Sequence, residues 1–177
     1  MGDEIESLQK NQTWELAKRP QGRNIITCKW VFKKKESLSP AEGIKYKARL
    51  VARGFHQKEG VDYNEIFSPV VRHTSIRVLL AIVAHQNLEL EQLDVKTAFL
   101  HGELEEEIYM TQLDGFQVPG KEDYVCKLRK SLYGLKQSPR QWYKRFDSYM
   151  IEIGYIRSPY DCCVYYNKET NGCSMIC

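Results

Sequence analysis

The chain has 177 residues, 42% of them hydrophobic and 28% charged, with a net charge of +3. It is long enough to bury a core and short for two full domains, and no apolar run approaches the roughly 20 residues that a membrane helix needs. The acidic start Met1-Gly2-Asp3-Glu4-Ile5-Glu6 excludes a secretory signal, and Glu6 breaks the myristoylation pattern, so an intracellular protein is expected.

Met1 to Lys10 reads as a short helix, and Thr13 to Ala17 as a weakly alternating strand before the turn at Pro20-Gln21-Gly22. Ile26, Cys28, Trp30 and Phe32 then alternate with Thr27, Lys29, Val31 and Lys33, the period of a strand with one apolar and one largely basic face. Tyr46, Ala48, Leu50 and Ala52 alternate with Lys47, Arg49, Val51 and Arg53, and Glu36 to Gly43 is a loop by composition. The pair predicts a hairpin that gathers Lys29, Lys33, Lys47, Arg49 and Arg53 on one side. Like charges across paired strands cost stability, so such a face is read as meeting an anion, or as edge lysines that block aggregation.

Beyond Ser68-Pro69, the spacing of Ile76, Leu79, Leu80 and Val83 predicts a core-facing helix over 74–86, which Asn87 can end. Leu88 to Leu93 reads as a strand leading into Asp94. Nothing local explains a carboxylate there, and a buried or half-buried acid needs a partner, of which metal is one. An acidic turn follows, then short strands at Ile108-Tyr109-Met110 and Tyr124 to Leu128. A helix over 139–153 has Ser138 as N-cap, Pro139 at its first position, Gln141 closing a capping box and Gly154 past its end, with Trp142, Phe146, Tyr149 and Ile153 along one face. Cys162 to Tyr166, a turn at Asn171-Gly172, and Cys173 to Cys177 predict a last hairpin.

Charge is segregated along the chain. Eight basic residues stand against Glu36 and Glu42 between Lys29 and Arg53, seven acids against Lys96 between Glu89 and Glu107, and seven basic residues against no acid between Lys127 and Arg145. Such blocks are either solvated faces or a polyanion surface flanking a cation-binding one. The six cysteines form no Cys-x-x-Cys pair and the four histidines have no metal-ligand spacing, so free, mostly buried thiols are expected. Asp94 on its strand, with Lys136 and Arg140 near a helix start, has the parts of a phosphate-handling site with a divalent metal. One aspartate cannot hold two metals, and Asp161 fits a turn role better.

Five blocks carry a more specific signal: Lys29-Trp30-Val31-Phe32-Lys33, Lys47 to Gly54, Phe67-Ser68-Pro69-Val70-Val71, Leu93 to Gly102, and Ser131 to Trp142. In this order they closely resemble the reverse transcriptase of Ty1/copia-type LTR retrotransposons. The resemblance implies an α+β fold, the fingers and partial palm of a right-hand polymerase, with a mixed or antiparallel sheet packed with helices. Residues of about 13–72 are then fingers-like and about 73–177 an incomplete palm. The implied activity is RNA- and DNA-templated DNA synthesis with two Mg²⁺ ions, a template-primer and a dNTP.

By the same resemblance Asp94 is the catalytic, metal-binding aspartate, and Val95 offers its carbonyl to a metal on the nucleotide side. Phe99 is the aromatic gate against a ribose 2′-OH. Gly134, Lys136, Gln137, Ser138 and Pro139 position nucleotide and template, with Arg140 beside them. Lys47 or Arg49 grips the triphosphate, and Lys29, Lys33 and Arg53 serve nucleic acid. The family's Tyr-x-Asp-Asp motif is absent through Cys177, so a polypeptide inactive by itself, derived from an element whose enzyme works in a cytoplasmic particle or the nucleus, is expected. A non-catalytic nucleic-acid-binding remnant and a misfolded product with an unpaired edge at 173–177 are the other readings.

Overall fold

A computed structural model of the chain describes residues 1–36, 44–167 and 174–176. Its elements run α1 (Gly2–Lys10), β1 (Trp14–Lys18), β2 (Ile25–Ile26), β3 (Cys28–Glu36), β4 (Ile44–Ala52), α2 (His73–Gln86), β5 (Glu103–Met110), β6 (Tyr124–Lys130), α3 (Ser138–Glu152), β7 (Ile156–Arg157), β8 (Tyr165–Asn167) and β9 (Ser174–Ile176). The fold is mixed α and β, as the sequence implies. It divides into two compact units, one of residues 1–66 and 97–142, the other of 67–96 and 143–177.

The first unit is built on a four-stranded sheet of order β1-β6-β5-β2, antiparallel except for the β5–β2 pair, and on the separate β3–β4 ribbon. Its core gathers Leu8 of α1, Ile26, Leu50 and Ala52, Leu100, Ile108 and Met110, and Leu128, Leu132 and Leu135. The ribbon follows from the alternating sequence. Lys33 stands opposite Lys47, Val31 opposite Arg49 and Lys29 opposite Val51, while Trp30 faces Leu50 and Phe32 faces Ala48 on the other side.

In the second unit Asp147 of α3 accepts hydrogen bonds from Arg157 Nε (2.8 Å) and Nη2 (2.6 Å) and from the Tyr165 hydroxyl (2.9 Å), tying β7 and β8 to the helix. Tyr165 is fully buried and meets Phe146 edge-on at 5.6 Å. The strands β8 and β9 are antiparallel, as the predicted last hairpin requires, and Asn171-Gly172, Cys173 and Cys177 lie outside the described residues.

Four expectations change. Leu88 to Leu93 is not a strand: no sheet includes it, and Leu90 and Leu93 are 65% and 82% exposed. A strand exists only with a ladder partner, and apolar alternation alone does not supply one. The acidic turn is instead the first part of β5, where Leu104 packs against the core between outward-pointing glutamates and a bulge follows. The α2 helix forms and ends at Asn87 in the left-handed region (φ 53°), but buries none of its residues. In α3 the buried positions are Ser138, Gln141 and Met150, while Tyr149, and Ile153 just past its end, stay half exposed, so the apolar stripe is rotated from its predicted line.

No helix is long and apolar enough to cross a membrane among the described residues. Cys28, Cys126, Cys162 and Cys163 are free thiols; Cys126 alone of these is fully buried, and burial, with Cys28 nearby, pushes it up to about 12.

Candidate nucleotide and nucleic-acid site

The loop between β6 and α3, residues 131–137, is clamped onto the end of β4. The Ala52 amide donates to the Tyr133 carbonyl at 2.7 Å, and the Ser131 amide to the Gly102 carbonyl at 2.7 Å. Gly134 holds φ at +91°, and a Cβ there would lie 2.1 Å from the Ala52 carbonyl oxygen; one on Gly54 would lie 2.0 Å from the Gly134 carbonyl oxygen. Only glycine permits this approach of two backbones.

The clamp sets an aromatic and cationic stack. The Arg49 guanidinium carbon lies 5.3 Å from the centroid of the Tyr133 ring, and Phe99 meets that ring edge-on at 5.2 Å and 64°. Phe99 sits in a 3-10 turn, Ala98–His101, entered through Thr97 at φ 52°. Of the two candidate fingers cations, Arg49 is therefore the one joined through Tyr133 to Phe99; Lys47 lies two residues further along β4, opposite Lys33.

Beneath the loop is a buried polar network. Gln57 accepts from the Lys136 amide (2.9 Å) and donates to Gln137 Oε1 (3.0 Å), while Gln137 Nε2 donates to the Asp62 carbonyl (2.9 Å) and to Glu106 (3.3 Å). Lys136 Nζ donates to the Gln57 carbonyl (3.3 Å) and the Tyr63 hydroxyl (3.1 Å), 4.6 Å from the centroid of that ring. The Asp62 carboxylate in turn accepts from Asn24 and from the Lys58 amide, both at 2.8 Å. A satisfied network of this kind fixes geometry, because every buried polar group in it has a partner to lose.

Gln137 and Ser138 are fully buried, and the Ser138 hydroxyl donates to the Leu132 carbonyl at 2.7 Å, inside the helix it was expected to cap. They hold the loop. Pro139 is exposed in the first turn of α3, and Arg140 pairs with Glu65. Lys29 and Lys33 share the ribbon face with Lys47 and Arg49. Arg53 lies one residue past the last ladder pair, Cys28 and Ala52, and lines a cleft of about 490 Å³ with Cys28 and Asp114. Part of the acidic block is used structurally: Glu107 pairs with Lys127 and Arg23, which hold its carboxyl below the usual range.

Asp94 and Val95 belong to the second unit, where both are exposed in a segment without regular structure. Asp94 is thus neither buried nor at a strand end. A single carboxylate and a carbonyl are hard oxygen donors of the kind Mg²⁺ takes, but they are fewer than a two-ion site requires. No group of three or more possible metal ligands among the described residues includes Asp94; the one present is Asp161 with Cys162 and Cys163, whose ligand atoms lie within 4.8 Å of one another. Its sulfur donors do not suit Mg²⁺. The Asp161 carboxylate accepts from the Ser75 hydroxyl (2.6 Å), the Cys163 amide (3.0 Å) and the Arg72 amide (3.1 Å), which hold its pKa below the usual range.

Sequence reasoning missed Tyr133, Gln57, Asp62 and Tyr63. Tyr133 stands inside a quoted block, next to Gly134, where a glycine flags close backbone approach; the buried glutamine and aspartate read as surface residues in any periodicity.

A mixed α and β domain with a cationic ribbon beside a glycine-clamped loop is suited to handling phosphate-bearing ligands. Over residues 11–177 the chain matches the family described as reverse transcriptase (RNA-dependent DNA polymerase), and it belongs to that family. It is 58% identical over 168 residues to the Retrovirus-related Pol polyprotein from transposon TNT 1-94 of Nicotiana tabacum, covering 95% of this chain and 13% of that protein. With the Retrovirus-related Pol polyprotein from transposon RE1 of Arabidopsis thaliana it shares 46% identity over 91% of the chain and 11% of the relative. With the Transposon Ty1-DR4 Gag-Pol polyprotein of Saccharomyces cerevisiae it shares 30%, over 98% and 11%. The chain thus spans little more than a tenth of the length of these relatives. No solved structure gives a significant match.

Proposed function

We propose that this polypeptide is the fingers and part of the palm of a copia-type reverse transcriptase, with about 13–72 fingers-like and about 73–177 palm, and that it binds template-primer and dNTP. The observation that carries the reading is the stack of Arg49, Tyr133 and Phe99 beside the clamped loop with Lys136. In this reading Arg49 grips the triphosphate, Phe99 rejects a 2′-OH, and Gly134, Gln137 and Ser138 hold the loop so that Lys136 is presented at a fixed height. Pro139 and Arg140 adjoin the template, and Lys29, Lys33, Lys47 and Arg53 attract the phosphate backbone.

The parent reaction is template-directed nucleotidyl transfer with two Mg²⁺ ions, to which Asp94 supplies a carboxylate and Val95 a carbonyl. Alone, this 177-residue polypeptide is expected to give no measurable primer extension, because Asp94 belongs to no group of three or more possible metal ligands among the described residues and two-metal chemistry needs bridging carboxylates. A second reading, a nucleic-acid-binding remnant without catalysis, draws on the same facts: the ribbon is regular while the Asp94 segment joins no sheet.

Titration with Mg²⁺-dNTP, followed by the fluorescence of Trp14, Trp30 and Trp142, all in the first unit, tests the nucleotide assignment. Arg49→Ala should weaken binding about tenfold, as expected for a lost charge-assisted contact, and Lys47→Ala much less. The reverse order sinks the assignment of Arg49. Incorporation of deoxynucleotides by the purified chain, abolished by Asp94→Ala, would overturn the expected inactivity.

A further inference from the structure

The turn before β8 carries two adjacent cysteines, and neither sits where cysteine usually does. Cysteine is among the most buried residue types, yet Cys162 is exposed and Cys163 only half-buried. They are the central residues of a turn closed by the Val164 amide, which donates to the Asp161 carbonyl at 3.0 Å. The turn is held from outside as well: the Ser158 amide donates to the Val164 carbonyl at 2.8 Å, and the Tyr143 hydroxyl of α3 to the Cys162 carbonyl at 3.4 Å. The Asp161 carboxylate is oriented through both oxygens. Its Oδ2 accepts from the Arg72 amide and the Ser75 hydroxyl at the start of α2, and its Oδ1 from the Cys163 amide. All of these groups belong to the second unit.

Capping of α2 accounts for the carboxylate, but it uses no sulfur. The two sulfurs and a carboxylate oxygen lie within 4.8 Å of one another. A tetrahedral Zn²⁺, with Zn–S of about 2.3 Å and Zn–O of about 2.0 Å, holds such atoms roughly 3.5–3.8 Å apart. Closing the set around an ion thus asks for side-chain movements of about 1 Å at most, within reach of a rotation at the exposed Cys162. The donors select the ion. Sulfur excludes Mg²⁺ and Ca²⁺, and thiolates mixed with a carboxylate oxygen are a set that Zn²⁺ takes. The bonds to Oδ2 are the outer support that a ligating carboxylate needs to keep its orientation. We propose that Asp161, Cys162 and Cys163 form a Zn²⁺ site, its fourth position taken by water, which clips the turn before β8 to the start of α2. On binding, each thiol loses its proton to solvent and its sulfur gives an electron pair to the ion. None of these groups takes part in the nucleotide reading, so the site stands independently of it.

The test titrates the full chain, kept reduced by a phosphine, with Co²⁺ as a spectroscopic stand-in for Zn²⁺. A single equivalent should produce a thiolate-to-cobalt charge-transfer band together with the visible bands of tetrahedral cobalt, and a single equivalent of Zn²⁺ should bleach both, whereas excess Mg²⁺ should not. Cys162→Ser with Cys163→Ser should abolish the charge-transfer band, while Cys173→Ser with Cys177→Ser should keep it. Ser75→Ala, which removes one bond to Asp161 and no ligand, should keep the band and weaken Zn²⁺ about tenfold; Asp161→Asn should weaken it at least as much. Far-UV circular dichroism checks that each variant is folded. An octahedral cobalt spectrum without charge transfer, or no cobalt binding, overturns the site. A band that survives Cys162→Ser with Cys163→Ser, or is lost with Cys173→Ser and Cys177→Ser, overturns it too. So does Zn²⁺ affinity that neither Ser75→Ala nor Asp161→Asn changes, since the carboxylate would then hold no ion.

Discussion

Arg49 and Tyr133, 84 residues apart in the chain, are joined by a cation–π contact in which the guanidinium lies 5.3 Å from the ring centroid. The contact depends on the backbone bond from Ala52 to Tyr133, which aligns the loop with the strand that carries the arginine. At an exposed arginine such a contact is worth about 0.5–1 kcal/mol. A double-mutant cycle of Arg49→Ala and Tyr133→Leu, measured by urea unfolding through tryptophan fluorescence, should return a coupling energy in that range, and Tyr133→Phe should preserve it. A coupling near zero would mean that the ring does not hold the arginine.

Gly54 and Gly134 should be the least tolerant glycines of the first unit. At each, a methyl group would meet backbone oxygen at 2.0–2.1 Å, and Gly134 carries a positive φ as well. Gly134→Ala is expected to destabilise the unit by at least about 3 kcal/mol, combining steric conflict with left-handed strain. Gly115→Ala, where φ is +80° but nothing lies within 4 Å, should cost only about 1 kcal/mol. Equal unfolding midpoints for the two variants would contradict the clamp.

Gln57→Leu should cost about 2–3 kcal/mol despite the gain in apolar volume, because it leaves the Lys136 amide and Gln137 Oε1 unsatisfied in a buried site. The check is chemical denaturation, with loss of amide protection at Lys136 read by hydrogen exchange. Unchanged protection would remove Gln57 as the hub.

Asp161 should make the second unit sensitive to acid. Its pKa is held low by the Ser75 hydroxyl first and by the Cys163 and Arg72 amides after it. A group with a depressed folded-state pKa stabilises fully above its unfolded value of about 3.9 and loses that contribution as pH falls through the folded value. Asp161→Ala is expected to cost about 2 kcal/mol at pH 7 and to lose its deficit relative to wild type at an acid pH below the folded-state value. Far-UV circular dichroism during denaturant titration at the two pH values measures both, and a deficit independent of pH would contradict this role.

What could be read from the residues was what depends on local period and punctuation. Alternation located the ribbon from Cys28 to Ala52, and Gly154 marked the end of α3. The same criterion failed where partners decide: Leu88 to Leu93 has strand composition but no ladder, and Glu103 to Glu107 has turn composition but opens β5, with Glu103 paired to Lys130 of β6. Asp161 was correctly kept apart as a turn residue. Gln57 and Asp62 were illegible, since glutamine and aspartate are mostly surface residues and only the fold shows both buried beside Gln137.

Equilibrium binding of an RNA–DNA primer-template at a series of salt concentrations tests whether the first unit presents a cationic surface to template-primer. Affinity should fall steeply with salt, and each of Lys29→Gln, Lys33→Gln, Lys47→Gln and Arg49→Gln should reduce the slope of log K against log salt by up to about one. A flat salt response, or a slope that none of the four substitutions alters, would contradict the account.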